Sequence, residues 1–274
     1  MTNPKISTLK RGGSRLYVHP DTAEKVPGVT SILNMLPKGF LKFWASKSVA
    51  EFAVANLGPV VTLVASGEHS AAVDMLKRAP DRDTAQAAAA GTEVHDLFER
   101  LAKGEEVGRV HPDLVPYVGI FKGFEQQFEP EFVHLEQTVW SETHGYAGSF
   151  DFMARLKDPD TGERGLYIGD WKTTRSGVHA EVALQMTAYA NADYIITPEG
   201  EKLDIPELDG AVVVHVRPEG GQIVPARLDD SLFQLFLALR EIWEWDRETS
   251  KTVLGRGVPI ESVVEEAGRR GGRR

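Results

Sequence analysis

Apolar residues recur along this chain with two different periods, helical in the first third and increasingly strand-like after it. From Thr30 the spacing is helical: Ile32, Leu33 and Leu36, then Phe40, Leu41, Phe43 and Trp44, with Pro37-Lys38-Gly39 breaking the run into two short helices. Further helical blocks are predicted from Lys47 to Leu57 and from about Ser70 to Arg78, the second ending before Pro80. Burial against a larger body is the expected fate of the aromatics in this region. An N-cap at Asp83 or Thr84 opens a longer helix, Ala85 to Lys103, closed by Gly104 and buried along Val94, Leu97, Phe98 and Leu101. Another amphipathic helix runs from Leu114 to Phe128. Residues 1–28 carry too many turn-formers for a helix and read as an extended lead-in, with a short strand at Arg15 to Val18.

The period then changes. Phe132 to Trp140 reads as a strand with Glu136 in its middle, and Tyr146 to Leu156 and Gly165 to Thr174 read as two more. Between the latter two lies Asp158-Pro159-Asp160-Thr161-Gly162-Glu163, whose Pro and Gly preset or permit the dihedrals of a reversal, so the pair is a hairpin. If it is symmetrical about 160 and 161, Asp151 falls opposite Asp170, with Cβ atoms about 4.5–5.5 Å apart. A helix from His179 to Tyr194 follows, with Gln185 and Tyr189 one turn apart on one face. Ala211 to Val216 is a buried strand, Ile223 to Ala226 an edge strand, and Asp229 or Asp230 caps a helix from Leu232 to about Glu248. Its inward face is Phe233, Phe236, Leu239, Ile242 and Trp243. The expected fold is α/β, a mixed β-sheet flanked by helices. An N-terminal extended and helical elaboration occupies 1–82, the α/β core 83–250 and a flexible basic tail 251–274.

Composition narrows the classes. At 274 residues, 42% hydrophobic and 26% charged, the chain can bury a sizeable core. It has no cysteine, which excludes disulfides, thiolate zinc sites, cysteine-ligated iron–sulfur clusters and cysteine nucleophiles, and fits a reducing interior. No apolar run reaches the roughly 18 residues of a membrane span and the first residues lack a signal-peptide core, so a cytoplasmic protein with no membrane partner is expected. The net charge of −9 argues against broad adhesion to a polyanion, although basic residues cluster at both ends, including Arg269, Arg270, Arg273 and Arg274.

The candidate chemistry lies in the hairpin. Two carboxylates sharing one small volume raise a pKa or require a cation between them. Hard oxygen ligands of this kind suit Mg²⁺, Mn²⁺ or Ca²⁺. Lys172 follows Asp170 by two residues and shares its face, while Trp171 points to the other. A divalent metal with a lysine is a hydrolytic set: the metal activates water and clamps a phosphate, and the ammonium orients the water or offsets charge. On the helix before the strands, Gly91, His95 and Glu99 stand one turn apart. Glycine there costs about 1 kcal/mol relative to alanine, so something approaches closely. A rival set, His134, Glu136 and His215, loosely matches a two-His, one-carboxylate iron site.

Taken in order, Gly91-x-x-x-His95, Glu136, Gly148-Ser149-Phe150-Asp151, Gly169-Asp170-Trp171-Lys172-Thr173 and Gln185-x-x-x-Tyr189 resemble the PD-(D/E)XK nuclease superfamily. The branch is the RecB-like one, which includes helicase-attached nuclease domains, CRISPR-associated exonucleases and small phage exonucleases. The resemblance covers about residues 85–195 by motif, and more loosely Val29 to Leu33 with Leu41 to Trp44. It implies a restriction-endonuclease-like core and a metal-dependent deoxyribonuclease, an exonuclease of recombination or DNA end processing. It implies DNA as substrate and a recombination or single-strand-annealing protein as partner. Asp151, Asp170 and His95 would then ligate Mg²⁺, for which Mn²⁺ would substitute, assisted by the main-chain carbonyl of Trp171. Lys172 would position the water, and Gln185 and Tyr189 would brace the lysine and the DNA backbone. Glu136 and Glu99 are accessory candidates. Two departures stand out: the second acid is Asp170 where many members carry glutamate, and the absence of cysteine removes any iron–sulfur cluster. The alternative is a catalytically silent nucleic-acid-binding or assembly subunit with the same fold.

Overall fold

The chain folds around the predicted hairpin. In the computed structural model, which describes residues 4–260, the hairpin strands are Tyr146–Lys157 and Arg164–Lys172. They pair from Lys157↔Arg164 to Phe152↔Gly169, the register a turn symmetrical about 160 and 161 predicts. The turn is closed by Asp158, whose backbone bonds to Glu163 and whose carboxylate accepts from the Asp160 and Thr161 amides at 2.9 and 2.7 Å and from the Tyr167 hydroxyl at 2.7 Å. These bonds, that of Tyr167 first, pull the Asp158 carboxyl down to about 2 from 3.8. A lowered pKa means the stabilisation is present above 3.8 and is lost as pH falls towards 2. Asp158→Asn is therefore expected to flatten the acid limb of thermal stability between pH 4 and 2, read by circular dichroism melts.

In chain order the strands are β1 (Thr8–Arg11), β2 (Ser14–Val18), β3 (Lys25–Pro27), β4 (Glu131–Ser141), β5 (Tyr146–Lys157), β6 (Arg164–Lys172), β7 (Tyr194–Ile196), β8 (Lys202–Leu203), β9 (Gly210–Arg217) and β10 (Gly220–Ala226). The helices are α1 (Val29–Leu33), α2 (Phe40–Ala55), α3 (Leu57–Ala65), α4 (His69–Lys77), α5 (Ala79–Ala102), α6 (Val115–Phe128), α7 (Glu181–Ala190) and α8 (Asp230–Arg247). Seven strands form one mixed sheet in the order β10-β9-β6-β5-β4-β7-β8, in which only β6 and β9 run parallel, as the crossover through α7 requires. Helices cover both faces. On one, α1, α7 and α8 pack Val29, Ile32, Met186, Tyr189 and Phe236 against Phe150 and Ile168. On the other, Val94 and Phe98 of α5 and Phe121 and Phe124 of α6 pack against Phe152, Trp171, Val212 and Val214.

That second layer orients the hairpin. Trp171 lies 4.9 Å from Phe98 and 4.6 Å from Phe152 between ring centroids, and such aromatic pairs contribute about 0.5–1.5 kcal/mol each beyond burial. Anchoring Trp171 there commits its neighbours Asp170 and Lys172 to the opposite side of the strand. The Phe152 ring fills the space above Gly169, where a Cβ would collide with it. Gly169→Ala is expected to cost about 1–3 kcal/mol by overpacking, visible as a lower midpoint of urea unfolding.

Several expectations are corrected. Residues 8–27 are not merely extended with one short strand: β1, β2 and β3 make a second sheet, turned at Gly12-Gly13 with both φ positive. It docks through Tyr17 and Val26 on Trp140, Ala147 and Tyr194. The helical runs expected at 40–44 and 47–57 are one helix, α2, and α3 follows it despite Gly58-Pro59, because proline is tolerated in a first turn. The helix α4 ends at Lys77, before Pro80 as expected, but for the same reason Pro80 sits in the first turn of α5, which begins at Ala79, so neither Asp83 nor Thr84 is an N-cap. The aromatics of α2 are not core: Phe40 is 58% and Phe43 81% exposed, and α2 has no buried residue. The helix expected from His179 to Tyr194 is the shorter α7, and Tyr194 begins β7 instead. Ile242 faces outward from α8, which Asp229 caps through the Leu232 amide. The arginines at 269, 270, 273 and 274 lie outside the described residues. Among the described residues no single helix is long and apolar enough to cross a membrane, and the apolar pair α2–α3 is bent by 81°.

Candidate metal centre

The hairpin opens where its two aspartates stand. Past Phe152↔Gly169, β5 stays with β4 through Phe150↔Gln137 and Ser149↔Thr138, whereas β6 stays with β9 through Asp170↔Val213 and Lys172↔His215. Asp151 and Asp170 therefore sit at the first step of a fork. A backbone bond spans it: the Trp171 amide donates to Asp151 Oδ2 at 2.7 Å, aiming that carboxylate.

Two further elements bring side chains to Asp151. From α5 comes His95, whose Nδ1 lies 3.5 Å from Asp151 Oδ2 and has no hydrogen-bond partner among the described residues. Gly91, one turn before it, is where helix meets strand: a Cβ there would lie 3.1 Å from Thr173 Oγ1, which accounts for a glycine in an alanine-rich run. From β4 comes Glu136, between the pairs Leu135↔Phe152 and Gln137↔Phe150 and thus beside Asp151. Its φ of 51° is left-handed, a conformation that costs a non-glycine residue about 1–3 kcal/mol and persists only where the surroundings impose it.

Ligand atoms of His95, Glu136 and Asp151 all lie within 4.8 Å of one another, and all three residues are buried. Burial first, and then the neighbouring carboxylates Asp151 and Glu99, push the Glu136 carboxyl up to about 9. Two carboxyls and an imidazole in one buried volume are a poor arrangement without a cation and a good one with it. The donor set fits Mg²⁺ or Mn²⁺, and the lack of cysteine leaves no thiolate for a softer ion. Without metal, Glu136→Gln removes one buried carboxyl at nearly constant volume and is expected to raise the melting temperature. The same change is expected to shrink the rise that Mn²⁺ produces, both read by scanning fluorimetry.

The other predicted residues form a second group beside the first. Asp170 is buried; its Oδ2 lies 2.6 Å from Lys172 Nζ and its Oδ1 accepts from Gln185 Nε2 at 2.8 Å. The Gln185 amide also donates to the Tyr189 hydroxyl at 3.2 Å, so α7 braces Asp170 and through it Lys172. Burial works against the Lys172 charge, but Asp170 and Asp151 outweigh it and the ammonium holds its proton more firmly than usual. Its side chain is 28% exposed.

Asp170 is not one of the three residues whose ligand atoms converge, although the resemblance implies it as a ligand, whereas the accessory candidate Glu136 is. Trp171 contributes its amide to Asp151. Glu99 is bound to Lys5 at 2.8 Å and Lys103 at 2.7 Å; burial opposes its charge, but the two ammonium groups hold it below the usual carboxylate range. No group of His134, Glu136 and His215 assembles among the described residues, and His215 Nε2 lies 2.8 Å from the Thr174 carbonyl. Sequence reasoning missed Tyr17, whose hydroxyl accepts from the Ser149 amide at 3.1 Å behind Tyr189. At Gly148, the first residue of the motif that ends in Asp151, a Cβ would collide with the Tyr189 ring.

The chain matches no protein-family model and no curated protein. Among solved structures it is similar to one described as the crystal structure of SSO0001, at 12% identity and a TM-score of 0.32, over 77% of this chain and 87% of that one.

Proposed function

We propose that this chain is a divalent-metal-dependent deoxyribonuclease with a restriction-endonuclease-like core, an exonuclease of recombination or DNA end processing. One observation supports the reading above the rest: a fork in the sheet sets the buried His95, Glu136 and Asp151 directly beside the Asp170–Lys172 pair. Convergent acids with one retained ammonium suit a substrate that brings its own negative charge, as a phosphodiester does.

The roles follow from the contacts. His95, Glu136 and Asp151 hold the ion, with Asp151 aimed by the Trp171 amide. A bound Mg²⁺ or Mn²⁺ supplies positive charge at the scissile phosphate and lowers the pKa of water. Lys172 orients the attacking water or offsets charge on the phosphate. Asp170 fixes the lysine, Gln185 fixes Asp170, and Tyr189 fixes Gln185. Direct ligation by Asp170 would require it to turn from Lys172 or to share an oxygen with the ion.

The test is degradation of end-labelled linear and covalently closed DNA, single- and double-stranded, with Mg²⁺, comparing the native protein with Lys172→Ala. Loss of linear substrate alone, abolished by the substitution, is the expected result. If neither protein cuts while both bind DNA equally, the chain is a silent nucleic-acid-binding subunit.

A further inference from the structure

Beside the fork the chain exposes an aromatic pair that packing does not explain. Phe40, at the start of α2, and His179, in the segment between β6 and α7, present rings 5° from parallel with centroids 6.4 Å apart, and both residues are exposed. His179 is joined to Lys172 by the segment between β6 and α7. The segment 173–180 leaves β6 immediately after that lysine and is pinned by the Thr174 carbonyl to His215 at 2.8 Å and by the Arg175 carbonyl to Arg217 at 2.9 Å. Within it, Thr174 Oγ1 donates to the Gly177 carbonyl at 2.6 Å, and Ser176 Oγ lies 2.7 Å from His179 Nε2. Just before α2, Lys38 meets Glu181, the first residue of α7, at 3.5 Å. Glu181 in turn lies close enough to act on the charge of Lys172.

The run that carries Phe40 is basic, although Lys38 meets Glu181 at 3.5 Å and Lys47 lies 3.6 Å from Glu51. Residues 38–50 include Lys38, Lys42 and Lys47 and no acid, in a chain whose net charge is −9. Exposed apolar rings alternating with lysines beside a phosphate-directed ammonium match a strand whose bases are unpaired: phosphates meet cations, and a base has a flat face to stack. A duplex keeps its bases stacked inside and has no such face to offer except at its end.

Resting on the nuclease reading above, we propose that Phe40 and His179 form a stacking site for an unpaired nucleobase, so that single-stranded DNA, or the frayed strand of a duplex end, is what enters the fork. The exposed start of α2 is then the wall of a strand path and not a misplaced piece of core.

The experiment uses the full-length chain with Ca²⁺ in place of Mg²⁺ and a single-stranded oligodeoxynucleotide carrying 2-aminopurine near one end, with a blunt hairpin duplex as comparison. Binding is followed by anisotropy and stacking by quenching of the 2-aminopurine, while a gel with Mg²⁺ reads cutting. The native protein is expected to bind the single strand and quench the probe. Phe40→Ala is expected to weaken single-strand binding roughly tenfold or more and to relieve quenching, with His179→Ala weaker in the same direction and Phe40→Trp restoring both. Affinity for the blunt hairpin and Mn²⁺ binding should be unchanged, since Phe40 lies outside the metal cluster. Equal single-strand affinity in native protein and Phe40→Ala overturns the proposal, as does a native protein that binds only duplex. A Phe40→Ala change confined to sedimentation also overturns it, and assigns α2 to contact with a second copy. The two readings separate cleanly. Cutting without dependence on Phe40 leaves the nuclease and removes the stacking site; Phe40-dependent binding without cutting does the reverse.

Discussion

Asp151→Asn is expected to leave the fold intact and to reduce Mg²⁺-dependent DNA cleavage on the order of a thousandfold, equivalent to about 4 kcal/mol of transition-state stabilisation. The side chain is nearly isosteric, and its remaining oxygen can still accept the Trp171 amide that now meets Asp151 Oδ2 at 2.7 Å. What it loses is the negative charge at the centre of the group with His95 and Glu136. Unchanged melting in the absence of metal, with a lost response to Mn²⁺, would assign the defect to the ion and not to the fold. Cleavage within threefold of native would remove Asp151 from the chemistry.

The second large effect belongs to Lys172. Lys172→Gln keeps a hydrogen-bond donor for Asp170 and is expected to lower cleavage by roughly 10²–10³ while changing Mn²⁺ affinity little. Lys172→Ala adds a structural penalty, because Asp170 is 3% exposed and loses the ammonium 2.6 Å away. The two variants should therefore share a catalytic defect and differ in stability, which single-turnover cleavage and urea unfolding together resolve. If both retain activity, the ammonium serves only to neutralise Asp170.

Much of the site was legible because it is built from local rules. Turn-formers at 158–163 set the hairpin register, which runs to Phe152↔Gly169 and leaves Asp151 and Asp170 at the step beyond it, and strand alternation put Lys172 beside Asp170 and Trp171 behind it. Helical spacing joined Gln185 to Tyr189, and Gly91 announced a close approach that turned out to be Thr173. The fork was not legible. Opposition in register predicts two carboxylates facing each other, whereas the ladder ends one step earlier and Asp170 turns to Lys172 and Gln185. Nor does any sequence pattern mark Glu136 as left-handed; that follows from how β4 runs past Asp151.

The first third failed for a different reason. Periodicity reports that a face is apolar, not what covers it, so Phe40 and Phe43 were expected to be core and are exposed. Short strands rich in charge, such as Thr8–Arg11 with Lys10 and Arg11, lack the apolar alternation that identifies a strand, although Gly12-Gly13 was a hairpin signal in itself. β7 was absorbed into the preceding helix because apolar residues continue through Tyr194-Ile195-Ile196, with Asn191-Ala192-Asp193 the interruption between them.

That the fork holds a catalytic divalent cation is tested most directly by anomalous diffraction from crystals grown with Mn²⁺. The expected result is a peak within roughly 2–2.5 Å of ligand atoms from His95, Glu136 and Asp151, adjacent to Lys172 and displaced by excess Mg²⁺. At saturating Mn²⁺, no peak at the fork, or a peak bound elsewhere with these three side chains unmoved, would contradict the assignment.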